Sequence, residues 1–92
     1  MESHTLKQVQ QALKDKHFQV AVDLGCGFGE YAPLLKKHCD YLIGIDKDIE
    51  RTLLAGYDII YNRLVRDDIR TYILPVEVEA VFWFDGPEHL NF

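Results

Sequence analysis

Val20-Ala21-Val22-Asp23-Leu24-Gly25-Cys26-Gly27-Phe28-Gly29 is the stretch whose reading decides the fold of this chain. An apolar, largely β-branched run closes on an acid, and three glycines then follow at every second position. The run is too short and too β-branched to stand as a helix and reads as a buried parallel strand. The glycines let the backbone turn sharply and bring bare N–H groups close to a ligand. Behind them, Glu30 to His38 reads as a helix, with Pro33 in its first turn, where a missing N–H costs least. Strand, glycine loop, helix is how an open α/β sheet builds a small-molecule site at the carboxyl end of its first strand. A tight turn with no ligand is the alternative.

Outward from that stretch the same rhythm continues. Thr5 to Lys16 reads as an amphipathic helix, with Thr5 and Gln8 as a capping box and Leu6, Val9 and Leu13 at helical spacing. Phe18 to Leu24 is the first strand, and Tyr41 to Asp46 the second, again apolar and again ending in an acid. Asp48 caps a third helix that runs to Ala55, and Gly56 stops it. Ile59 to Arg66 contains the third strand, Ile69 to Leu74 a short helix broken by Pro75, and Val76 to Phe84 the fourth strand. Alternation of this kind predicts one α/β domain over 1–92, a Rossmann-like parallel sheet of about four strands with right-handed crossovers and helices on both faces.

Composition bounds the function. Ninety-two residues allow a single domain, and a chain of this length buries roughly 60–65% of its unfolded surface, so its core is thin. Hydrophobic residues at 48% and charged residues at 27% are ordinary for a soluble globular protein. No apolar run approaches a membrane span, and Met1-Glu2-Ser3-His4 does not begin a signal peptide, so the expected location is the cytoplasm. Cys26 and Cys39 lack the paired spacing of a zinc site, and Cys26 reads as a small residue in a crowded turn. The net charge is −5, and no Lys or Arg follows Arg70, while Glu77, Glu79, Asp85 and Glu88 do. That half repels nucleic-acid phosphates, and the scattered lysines and arginines elsewhere read as solvated faces.

Each proposed strand ends at or beside an aspartate: Asp23, Asp46, Asp67 with Asp68, and Asp85. A parallel sheet brings these ends to one edge. Carboxylates crowded there repel one another unless donors or a cationic ligand compensate them. Asp46 lies 21 positions after Gly25, a spacing that suits a carboxylate accepting both hydroxyls of a ribose, against the alternative of a first-turn helix acid.

At Asp23 to Gly29 the chain resembles the class I S-adenosylmethionine-dependent methyltransferases, whose first motif is an apolar strand, an acid and G-x-G-x-G. The resemblance implies a cofactor site for S-adenosylmethionine built from Asp23, Gly25, Cys26, Gly27 and Gly29, with Asp46 as the family's second-motif acid on the ribose and Lys47 beside it. Asp68 and Ile69 look like the third landmark, an acid on the adenine amino group and an apolar flank to its ring; a capped turn is the alternative. Phe82 to Leu90, containing Asp85-Gly86-Pro87-Glu88-His89-Leu90, looks like the fourth motif region. That implies Asp85 near the cofactor, and Asp85 and His89 as candidates for catalysis. His89 would act as a general base toward the methyl acceptor, against a packing or surface role. A fainter likeness to the D/N-P-P-Y motif of amino-methylating enzymes fails at two positions.

The resemblance covers nearly the whole chain but only the cofactor-binding half of the family's fold, so the expectation is a truncated methyltransferase fold. In that fold the fourth strand is interior; here its outer edge, with Val78, Val81, Phe82, Trp83 and Phe84, is expected to pair with a second copy or a partner chain. The reading is therefore S-adenosylmethionine binding with methyl transfer to a small-molecule or protein acceptor. The alternatives are a catalytically inactive binding or assembly module and, behind both, a nicotinamide-dinucleotide half-domain. Against the last, the third glycine of G-x-G-x-x-G falls on Glu30, whose carboxylate repels a pyrophosphate.

Overall fold

A computed structural model describes residues 6–71, 73–74 and 77–83 of the protein. Its elements alternate in chain order: α1 (Leu6–Leu13), β1 (Phe18–Leu24), α2 (Ala32–Lys36), β2 (Cys39–Asp46), α3 (Glu50–Ala55), β3 (Arg63–Arg66) and β4 (Ala80–Phe82). The four strands form one all-parallel sheet in the order β3-β2-β1-β4. This is the α/β, Rossmann-like arrangement that the alternating sequence predicts.

Register follows from which side chains each face can bury. Ala21 on β1 pairs with Leu42 on β2, and both turn to the face that receives Val9 and Leu13 of α1 and Ala32, Leu34 and Leu35 of α2. Val22 pairs with Ile43, and with Ile45 they form a second, smaller core on the opposite face. There Val20, Leu24 and Val65 of the strands and Ile69 and Val78 of the β3–β4 connection pack against them; among the described residues no helix side chain joins this core, so the expectation of helices on both faces is corrected to helix packing on the first face. A shift of one residue in either central strand would exchange these two sets.

Several boundaries differ from the sequence expectation, each for a local reason. Beyond α1, Lys14 and Asp15 form a turn in which Asp15 takes the left-handed conformation (φ 63°), which a short polar side chain tolerates. Residue 5, the expected cap of α1, lies outside the described residues. Helix α2 is only five residues long; Pro33 sits in its first turn, and it closes with Lys37 N–H on the Leu34 carbonyl (3.2 Å) and His38 N–H on the Leu35 carbonyl (2.9 Å). Helix α3 begins at Glu50 without a side-chain cap: the Asp48 N–H donates to Asp46 Oδ1 (2.9 Å), and the Asp48 carboxylate stands 3.8 Å from Arg51 Nε. Gly56 stops α3 in the left-handed conformation, as the sequence suggests.

Strand β3 starts late because Asn62 prepares it. The Asn62 side chain accepts the Leu42 N–H (2.8 Å) and its N–H donates to the Leu42 carbonyl (2.8 Å), so one residue satisfies both groups of a strand neighbour. The expected helix from Ile69 is a turn over residues 69–71, closed by Thr71 N–H on the Asp68 carbonyl (3.0 Å). Pairing of the last strand begins with Glu79 N–H on the Val20 carbonyl (2.9 Å) and continues through Asp23↔Phe82.

Candidate functional site

The carboxyl ends of β1 and β2 lie side by side, with Asp23 opposite Gly44 and Leu24 opposite Ile45. Leaving β1, the chain curls toward β2: the Gly25 and Cys26 N–H groups both donate to the Ile45 carbonyl (2.7 and 3.0 Å). Gly27 N–H then donates to Asp46 Oδ2 (2.8 Å), and Gly29 N–H to the Cys26 carbonyl (2.9 Å). Gly25, Gly27 and Gly29 all have positive φ, at 69°, 58° and 86°, so the alternating glycines serve the turn. The glycine spacing predicts bare amides, and the structure corrects this: they are occupied. Four of the five loop N–H groups are bonded inside the protein, because the loop closes onto β2 and uses Asp46 as its anchor.

The three glycines face different surroundings. A Cβ at Gly25 would meet Ile69 Cδ1 at 3.7 Å and Trp83 Nε1 at 3.9 Å. At Gly29 it would meet Tyr57 Cβ at 2.9 Å, Thr52 Cγ2 at 3.3 Å and Tyr61 Cε2 at 3.3 Å. Nothing lies within 4 Å of that position at Gly27. The loop is packed at both ends and open at its crest.

Asp23 is 3% exposed and accepts a hydrogen bond from the Tyr61 hydroxyl (2.6 Å). Burial, reinforced by the nearby Glu30 and Asp46 carboxylates, pushes its pKa up to about 6 against the opposing pull of the Tyr61 bond. The same burial, and the neighbouring carboxylate, drive the Tyr61 hydroxyl far above its ordinary value, so it keeps its proton and donates it to Asp23. Cys26 is buried in the loop, 3.6 Å from the Thr52 hydroxyl, and burial raises its thiol to about 11, which makes it a packing group and not a nucleophile. Thr52, fully buried on α3, also donates to the Gly27 carbonyl and so fastens the loop from below.

Asp46 is nearly buried, with one oxygen on Gly27 N–H and the other on Asp48 N–H. The Arg51 guanidinium stands 3.5 Å from Asp46 Oδ1 and 3.8 Å from Asp48 Oδ2, and its carbon lies 5.5 Å from the centroid of the half-exposed Phe28 ring. Lys47 is exposed beside it. Asp68 is gripped by its own turn: Oδ1 accepts Arg70 N–H and Nε (2.9 and 3.0 Å), Oδ2 accepts Nη2 (2.7 Å), and Arg70 holds its pKa well below the carboxylate range. Asp23, Gly25, Cys26, Gly27, Gly29, Asp46 and Ile69 therefore gather around one loop, whereas the carboxylate of Asp68 is turned to Arg70. Asp85 and His89 lie outside the described residues.

Two contributors escaped the sequence reading, Tyr61 and Thr52. One signal pointed to the first: Gly44 interrupts an otherwise apolar strand, and a glycine inside a strand marks a close approach of something large. A Cβ at position 44 would lie 2.7–3.0 Å from three Tyr61 ring atoms. Among the described residues, no group of three or more His, Cys, Asp or Glu side chains could hold a metal ion, and no helix is long and apolar enough to cross a membrane. No protein-family model matches this chain, and no curated protein matches it.

Proposed function

We propose that this chain binds S-adenosylmethionine at the loop between β1 and α2, as the cofactor-binding part of a class I methyltransferase acting on a small-molecule or protein acceptor. One observation carries the reading: a buried carboxyl, Asp23, stands with Glu30 and Asp46 beside a glycine loop whose amides are turned inward. Such a site lacks the free N–H nest that a pyrophosphate needs and carries negative charge that a cationic ligand relieves. The open crest over Gly27 leaves room for a ligand against the backbone.

The residues fit that ligand group by group. Asp23 suits its ammonium, directly or through water. Asp46 keeps lone pairs for ribose hydroxyls, since each carboxylate oxygen accepts more than one bond. Ile69 offers an apolar flank above Gly25. When bound, the cofactor supplies a methyl on a sulfonium, and the protein's task is to hold the acceptor in line with it. Asp85 and His89 remain the proposed groups on the acceptor side. Residence in the cytoplasm, little affinity for nucleic acid, and pairing through the β4 edge belong to the same proposal.

A second reading, a binding or assembly module without catalysis, is favoured by the arginines. Arg51 sits at Asp46 and Arg70 at Asp68, so two acids of the proposed site already have cationic partners within the chain. Calorimetric titration with S-adenosylhomocysteine separates the two. Micromolar binding by the native chain, lost in Asp46→Ala while circular dichroism stays native, supports the cofactor reading. A folded native chain that takes up no ligand rejects it in favour of the module.

A further inference from the structure

Tyr61 touches three parts of the site that are distant in sequence. Its hydroxyl donates to Asp23 Oδ2 at the tip of β1 (2.6 Å). Its ring lies over Gly44 of β2, where a Cβ would come within 2.7 Å of Cε1 and 2.8 Å of Cδ1. Its Cε2 borders the third loop glycine, 3.3 Å from the Cβ position of Gly29. The residue is 6% exposed and belongs to the main core. The ring is therefore packed between β2 and the glycine loop with its hydroxyl directed at Asp23.

We infer, on the footing of the cofactor reading above, that Tyr61 is the positioning residue of this site: it fixes the direction of the Asp23 carboxylate and the seat of the glycine loop, and so sets how a cationic ligand is recognised. The two glycines make this possible. Gly44 gives the ring its place on the sheet, and Gly29 lets the loop come down against the ring edge. Asp23 thereby keeps one oxygen on Tyr61, and the orientation of the other is set by that bond.

The groups that act on Asp23 come from each element around it: Tyr61 from the segment after α3, Glu30 from the entry to α2, Asp46 from the end of β2 and Cys26 from the loop. None is cationic. The Tyr61 bond is the one that favours the charged carboxylate, so its removal moves Asp23 toward the protonated form, which a cationic ligand does not recognise.

Tyr61→Phe tests this, since it keeps the ring and deletes the donor. Two measurements are made. Carbon-13 NMR of the aspartate carboxyls follows Asp23 in the free chain, with Asp23→Asn identifying its resonance. Calorimetry measures S-adenosylhomocysteine binding at pH 6 and pH 8. The expected result is an Asp23 midpoint above that of the native chain, together with a loss of affinity on the order of tenfold at pH 6 that shrinks at pH 8. An unchanged midpoint overturns the inference whether or not ligand binds. A raised midpoint with native affinity at both pH values overturns it too, because the bond would then not bear on recognition. Failure of the native chain to bind at all is a different result: it rejects the cofactor reading, and with it the recognition role, while the midpoint still reports the bond.

Discussion

A methyl group at position 44 would fall within 2.7–3.0 Å of three ring atoms of Tyr61, closer than real Cβ contacts come. Gly44→Ala must therefore displace a buried ring that also carries the bond to Asp23, and a cost of about 1–3 kcal/mol is expected, read as a lower urea midpoint. Asp23 has the opposite character. Its native pKa of about 6 stands above the ordinary 3.8, so between these values the folded chain keeps a proton that the unfolded chain has lost. Its contribution to stability is complete below pH 4 and is lost as pH rises through 6. The difference amounts to roughly 3 kcal/mol at 1.36 kcal/mol per unit. Asp23→Asn should flatten this slope, leaving the variant more stable than the native chain at pH 7 and no different near pH 3.5. At this scale the glycines and the acids were legible in the sequence because their spacing is local. Tyr61 and Thr52 were not, because each meets its partner only after the chain has returned across 38 and 25 residues.

Short elements make each buried side chain matter more. Helix α2 contributes Ala32, Leu34 and Leu35 to the main core from five residues, and Leu35 is fully buried. Leu35→Ala is expected to cost about 3 kcal/mol, measured by chemical denaturation, a large share of the roughly 5–10 kcal/mol that a chain of this size holds. The helices, strands and their alternation could be read from periodicity, and β1 matched residue for residue. Both ends of α2 and the starts of α3 and β3 could not. They are decided by side chains that replace backbone partners, such as Asp46 on Asp48 N–H and Asn62 on Leu42 N–H, and no hydrophobic pattern encodes those. The turn after Asp68 belongs here as well: Arg70 folds back onto Asp68 within two residues, a local bond that competes with helix.

The sheet as a whole has β1 and β2 inside and β3 and β4 at its margins. Among the described residues, β4 pairs with β1 on one side only, and Val81 on it is 45% exposed. The proposal of self-association through this margin predicts a dimer by light scattering at high protein concentration; a monodisperse monomer there rejects it. The parallel architecture was legible from the sequence as a rhythm, while the strand order had to come from three dimensions, because β4 bypasses two strands to reach β1. That bypass governs the history of the nascent chain. Ala80 is made 59 residues after Ala21, its neighbour in the sheet. At synthesis rates of about 5–20 residues per second, the second edge of β1 waits roughly 3–12 seconds for its partner. Once β2 has been made, and until β4 follows, β1 has one of its two neighbours, so the site begins with one wall and can acquire the other only when translation has passed Phe82.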